Sequence, residues 1–274
     1  TLRSSSAASD VYKRQAEITG LNPEQNLLHL RDRPALHFNW LSLDVGAVSR
    51  PSAAGVPIKP LEASLSFLES EDPSDPNPLR VIGAGAAGLE VVLALRRRWP
   101  QRELQLQQHR GQLDPAVQYV LRKANIAVTD DDSHHNGPSL LCTGSQGPAW
   151  LATTGLPLTP DGRVRTDRYL RVEGHPCLFA SGDCAVISAS PRPASGVWAV
   201  RAGRPLAINL EAACKGHPLR PWHPQRKALQ LIGSHQDAAW ARWGGWRLGP
   251  SRLLWHLKQR IDRAFMTGFL QPAA

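Results

Sequence analysis

The sequence predicts an α/β fold organised around a parallel β-α-β-α-β unit. Three observations carry this prediction. The turn Gly83-Ala84-Gly85-Ala86-Ala87-Gly88 follows a strand-like apolar run and opens a helix-like one. Residues 79–129 alternate short apolar runs with stretches of helical period. On either side, residues 24–45 and 138–180 break into short apolar runs separated by turn residues, the pattern of further strands.

Composition sets the frame for these elements. Of 274 residues, 42% are hydrophobic and 20% charged, which excludes a disordered or fibrous chain. The net charge of +9 is local: residues 201–274 hold twelve basic side chains and three acids, so the first 200 residues are neutral. Basicity therefore belongs to the C-terminal segment, and whole-protein binding to nucleic acid is not expected. No apolar run reaches the ~18 residues of a membrane-spanning helix. Cys142, Cys177, Cys184 and Cys214 form no C-x-x-C, which argues against a zinc ribbon or a thioredoxin-like pair and for reduced thiols in a cytoplasmic protein. Residues 1–15 show no helical or strand pattern and are read as an extension outside the fold.

The elements follow in order. Residues 24–45 read as two or three strands, the last nearly all apolar and so buried. Residues 60–69 suggest a short helix, and 70–78, with three prolines in six positions, a linker. Then come a strand from 79, the Gly-rich turn, a helix to Arg98, a strand near 103–108, a helix at 114–124 and a strand at 126–129. Asp161-Gly162 signals a hairpin among the strands of 138–180. A long helix occupies 196–214, and a Trp-rich basic segment closes the chain with an apolar stripe of Leu254, Leu257, Ile261, Ala264, Phe265 and Phe269.

The Gly-rich turn carries the clearest chemistry. Gly83 permits the tight turn, Gly85 lets backbone approach a pyrophosphate, and Gly88 lets the helix pack closely on its strand. The helix N-terminus then offers N–H groups and a positive dipole end to phosphate. An acid for the ribose hydroxyls is expected at the end of the second strand. Here that strand ends Gln107-Gln108-His109-Arg110, where Gln108 can bond a ribose and His109 or Arg110 can face a 2′-phosphate, so NADH and NADPH both stay open. His134-His135 has no metal-ligand spacing, and no metal site is expected.

A second motif brings a family resemblance. His175-Pro176-Cys177-Leu178-Phe179-Ala180-Ser181-Gly182-Asp183, after the 161–170 hairpin, resembles the second FAD-binding signature of the pyridine nucleotide-disulfide oxidoreductase superfamily. Leu43-Asp44-Val45-Gly46, Ile58-Lys59-Pro60, Cys142-Thr143-Gly144 and Pro193 through Gly203 are similar to its type II NADH dehydrogenase-like branch. The ending, from Pro224-Gln225 to Met266, resembles the oxidoreductase domain that some bacteria fuse to selenide, water dikinase.

This resemblance implies two nested Rossmann-like nucleotide-binding domains plus a basic C-terminal helical segment. The FAD domain is incomplete, because the first Gly-rich motif of the family is missing and the chain reads as N-terminally truncated. The implied boundaries are 16–77 for an FAD-domain remnant, 78–140 for the NAD(P) domain, 141–215 for the rest of the FAD domain and 216–274 for the basic segment. The implied cofactors are FAD and NAD(P)H, with hydride passing to the flavin and electrons to a quinone-like or other small acceptor. Asp183, beside Gly182, would bind the ribityl chain, and Ala194, Ser195, Gly196 and Val197 would start a helix facing the flavin. Glu90 and Lys59 match family positions near the reacting groups; a first-turn acid complementing the dipole and a solvated surface lysine are the structural alternatives. A selenide, water dikinase partner and a peripheral contact with the inner face of the membrane are also implied. Flavin-free NAD(P) binding, or an inactive fragment, is the other function class.

Overall fold

A computed structural model of the chain describes residues 14–50, 52, 54–108, 113–130, 135–234 and 236–270, with side chains to 267. They divide into two units, one made of residues up to 47 with 146–224 and the other of 48–145 with 225 onward. His109, Arg110, His134 and nearly all of the 1–15 extension lie outside the described residues, as does the Phe269 side chain.

In the first unit, β1 (Ile18–Asn22), β2 (Leu27–Leu30) and β3 (Arg33–His37) form an antiparallel sheet. The strand β4 (Leu41–Leu43) closes this first stretch of chain. The second unit opens with β5 (Val48–Ser49), β6 (Val56–Pro57) and helix α1 (Leu61–Ser70). There follow β7 (Leu79–Ile82), α2 (Ala86–Arg98), β8 (Leu104–Gln107), α3 (Pro115–Lys123) and β9 (Ile126–Thr129). The strands β10 (Ser139–Leu141) and β11 (Ser145–Gln146) lead back to the first unit. That unit resumes with β12 (Val164–Thr166), β13 (Leu178–Ala180), β14 (Ala185–Ile187) and α4 (Gly196–Cys214). The chain ends in the second unit with β15 (Leu229–Gly233), β16 (Ala239–Trp243), β17 (Trp246–Ser251) and α5 (Arg252–Leu270).

The second unit is a five-stranded parallel sheet in the order β6-β10-β7-β8-β9. All four residues of β7 are buried, as its central place requires. Leu79 and Val81 of β7, Leu104 and Leu106 of β8, and Leu89, Val92 and Leu93 of α2 share one core. Helix α3 starts on an Asp114 cap that accepts the Ala116 N–H at 2.8 Å, with Pro115 in the first turn where a missing donor does no harm. Of the expected 70–78 linker, Ser70 ends α1 and residues 71–78 are irregular; Arg102, buried, anchors them through Glu71 at 3.1 Å and Asp75 at 3.5 Å.

The C-terminal segment differs from its sequence reading. Before the helix stands an antiparallel sheet, β15-β16-β17, which sequence reading left unassigned; Trp240, Trp243 and Trp246 lie on it. Ile232 and Trp240 are buried with the residues of α2 in the main core. The module is therefore part of the second unit.

In the first unit β4 pairs in parallel with β13, Leu43 opposite Ala180, and β12 pairs in parallel with β14. Leu43, Leu151, Val164, Leu178 and Cys184 form its core. The 161–162 hairpin is present as a tight turn, with Gly162 at φ +74° and Leu158 bridged to Val164.

Candidate functional site

In the second unit the glycines of the turn meet three different surroundings. Gly83 has φ +111°, and a Cβ there would lie 2.7 Å from the Cys142 carbonyl oxygen. A Cβ on Gly88 would overlap the Gly83 carbonyl oxygen, so strand end and helix touch backbone to backbone. Gly85, the cap of α2, has ordinary dihedrals of −73° and −178°, and a Cβ there would meet nothing within 4 Å. No side chain caps α2. An open approach over Gly85 to an uncapped helix N-terminus is a seat for phosphate, and the pyrophosphate of a dinucleotide fits it.

Gln108 stands where the second strand ends, its N–H bonded to the Thr129 carbonyl at 2.9 Å. Its Oε1 is buried and takes no hydrogen bond among the described residues. A buried amide oxygen awaiting a donor suits a ribose hydroxyl.

Glu90 stands on the second turn of α2. Its Oε1 accepts the Gly233 N–H at 2.8 Å and lies 3.7 Å from the Lys258 ammonium. Both partners belong to the C-terminal module, so this carboxylate holds β15 and α5 against α2. Lys59 is exposed and sits between β6 and α1, its backbone N–H bonded to Ser49 Oγ at 3.1 Å.

The first unit brings its own predicted residues together. Gly182, at φ +71°, and Asp183 form a 3-10 turn directly after β13. This turn packs on the start of α4, with Ala199 Cβ 3.9 Å from where a Gly182 Cβ would stand. Ser195 caps α4 with extended backbone and no side-chain bond, Trp198 and Ala199 donate to its carbonyl, and Gly196 faces open space. Ala194 and Val197 flank that cap. A small cavity of about 40 Å³ borders the group, lined in part by Ser181, Gly182, Ser195, Trp198 and Arg163. A carboxylate beside an uncapped helix N-terminus fits the ribityl and pyrimidine end of a flavin. Among the described residues, Gly83–Gly88 is the one Gly-rich turn that joins a strand to a helix.

Two residues received no individual role from the sequence. Asp44 directly follows β4, and a Cβ on Gly182 would overlap its Oδ1. Burial, and then the charge of Asp183, hold its carboxyl above the usual aspartate range. The signal was an acid closing a buried apolar strand. Arg163 is buried and bonded to the carbonyls around Asp183; in sequence it is only the residue after a hairpin turn.

All four cysteines are free thiols. Burial pushes Cys142 and Cys184 up to about 11. Burial also lowers the pKa of His135, and no group of three or more metal-ligating side chains occurs among the described residues.

Comparison with known proteins agrees with this architecture. A FAD-dependent pyridine nucleotide-disulphide oxidoreductase from Desulfovibrio vulgaris superposes with a TM-score of 0.66 at 17% identity, covering 84% of this chain and 67% of that one. The chain has the fold of the FAD-dependent pyridine nucleotide-disulphide oxidoreductases. Within this oxidoreductase fold the chain is similar to Ferroptosis suppressor protein 1 of Xenopus laevis, 23% identical over 279 residues, 88% of this chain and 73% of that protein. It is also similar over 87 residues, at 33% identity, to Alternative NAD(P)H-ubiquinone oxidoreductase C1 of Arabidopsis thaliana, covering 31% of this chain and 17% of that protein. No protein-family model matches.

Proposed function

We propose that the chain is a flavin-dependent NAD(P)H dehydrogenase that delivers electrons to a quinone-like or other small acceptor. The observation that carries this reading is the turn of the second unit: an open Gly85 in front of an uncapped α2, with Gly83 and Gly88 admitting no side chain. FAD, when bound, supplies the two-electron chemistry. The chain's residues bind and orient. Backbone N–H groups at the start of α2 hold the dinucleotide pyrophosphate, and Gln108 Oε1 accepts a ribose hydroxyl. Asp183 accepts a hydrogen bond from the ribityl chain, and the N-terminus of α4, from Ala194 to Val197, places positive potential at the flavin's N1–O2 edge. Lys59 and Glu90 keep the neighbourhood of the reacting groups as proposed positions, with Glu90 acting by fixing the second turn of α2.

The acceptor class is supported by a relative whose name includes ubiquinone. Peripheral membrane contact is supported by the C-terminal module: Trp246 and Leu253 are each 81% exposed, Leu257, Ile261 and Phe265 continue an exposed stripe, and Arg252, Arg260 and Arg263 stand beside it. No helix among the described residues is long and apolar enough to cross a membrane. A selenide, water dikinase partner rests on the Pro224–Met266 pattern alone.

The test is purification followed by a spectrum and an assay. Absorbance near 450 nm, bleached by NADH or NADPH and restored by a soluble quinone, is expected. Calorimetric binding of NAD(P)H with no uptake of added FAD would instead favour a flavin-free nucleotide-binding module, the reading favoured by the one Gly-rich strand-to-helix turn among the described residues.

A further inference from the structure

Arg163 is 8% exposed and follows the Asp161-Gly162 turn on the way into β12. Its guanidinium fans out to three main-chain carbonyls. Nε donates to Asp183 at 3.2 Å, Nη1 to Arg192 at 3.0 Å, and Nη2 to Ala185. The first and third acceptors belong to the turn that presents Asp183. The second lies three residues before Ser195, the cap of α4. Its backbone is fixed too: Thr159 Oγ1 accepts the Arg163 N–H at 3.0 Å, and the Thr159 N–H donates to the Arg163 carbonyl at 2.9 Å.

No carboxylate forms an ion pair with Arg163 among the described residues; the dipoles of three carbonyls surround the buried charge instead. That arrangement is geometrically demanding, because the planar fork of an arginine reaches several acceptors at fixed angles and a lysine does not. A cation placed only for stability would sit equally well beside one acid. Here its bonds tie together the two segments on which the flavin reading depends, the Gly182-Asp183 turn and the loop leading to the α4 N-terminus.

We propose that Arg163 is a positioning residue that holds the Asp183 turn and the α4 N-terminal loop in one fixed arrangement for the flavin. This rests on the flavin reading above. It acts through backbone and touches no reacting atom.

Arg163→Lys and Arg163→Gln in the full chain test it with two readouts. Without flavin, amide hydrogen exchange is expected to rise at least tenfold at 183–186 and 192–198 in both variants, while α2 and β7, in the other unit, keep their protection. With FAD, titrated by quenching of flavin fluorescence, affinity is expected to fall at least tenfold in Arg163→Gln and less in Arg163→Lys. Unchanged exchange at both segments would overturn the proposal, as would a uniform rise across the chain. If neither variant folds, the parent decides: the Arg163 Nε–H proton is expected to resist solvent exchange, and a freely exchanging one overturns the proposal. A parent that takes up no FAD removes the flavin reading, and the exchange measurement then judges Arg163 on its own.

Discussion

Valine at position 85 would occupy the space in front of α2 without disturbing the fold behind it. The backbone there, φ −73° and ψ −178°, is open to any residue, and the added side chain meets no protein atom within 4 Å. Stability should change by less than about 1 kcal/mol, since reduced freedom of the unfolded chain offsets a slightly poorer helix cap. Binding should not survive. A side chain over the first turn of α2 blocks the N–H groups that meet phosphate, and hydrogen bonds to charged groups contribute ~1.5–3 kcal/mol each. Losing two would cost roughly 3–6 kcal/mol, or about 10²- to 10⁴-fold in affinity. Gly88→Ala is the contrasting variant: its Cβ would overlap the Gly83 carbonyl oxygen, so strand and helix must separate, at ~1–3 kcal/mol or more. Calorimetry with NADH and NADPH, beside thermal melting, separates the two. The reasoning is refuted if Gly85→Val binds either nucleotide like the parent, or if Gly88→Ala melts with it.

Four further outcomes are expected. Asp183→Ala should weaken FAD retention by about tenfold, a buried hydrogen bond being worth ~0.5–1.5 kcal/mol net and more when charged; equal flavin occupancy in variant and parent would count against it. Asp44 titrates above the ordinary aspartate value of 3.8, so its folded-state pKa exceeds the unfolded one, and the stability it confers below that value is lost as pH rises through the folded pKa. Asp44→Asn should therefore raise the melting temperature at pH 7 and flatten its fall as pH rises above 3.8, as differential scanning at several pH values can check. At pH 8 iodoacetamide should label exposed Cys214 well before Cys142 and Cys184, whose thiols near 11 leave about one thiolate in a thousand; peptide mass spectrometry reads the order. Finally, the chain should sediment with anionic vesicles at low salt and release at high salt, and Trp246→Glu with Leu253→Glu should abolish sedimentation without lowering the melting temperature.

What the sequence revealed, and what it hid, follows from the range of the interactions. The turn 83–88 was legible residue by residue because each glycine's role is local: a positive φ, an open approach, a backbone contact with a neighbour five positions away. The helix at 196–214 and the strand at 126–129 were likewise legible from short-range pattern alone. Asp44 and Arg163 were not. The importance of Asp44 comes from β4 lying beside β13, about 140 residues on, and that of Arg163 from carbonyls 20 to 29 positions away. Neither pairing leaves a periodic trace.

The C-terminal segment shows a third case, in which the pattern was visible but ambiguous. Apolar residues stand so densely along α5 that two of its faces qualify as a stripe. Leu254 and Trp255 turn toward the sheet, the first close to Gly249 and the second to Gly233. Leu253, Leu257, Ile261 and Phe265, spaced by four, remain outside. A three-stranded sheet can cover one face of a helix, not two, and from Arg260 to Thr267 every residue is exposed. The same docking explains Glu90. Once Ile232 and Trp240 bury themselves against α2, the Gly233 N–H arrives at the second turn of that helix and needs an acceptor, and Glu90 is the side chain that supplies it. Glu90 thus joins α2 to the module that bears the exposed stripe, beside the shared apolar core and the Arg97–Asp237 ion pair.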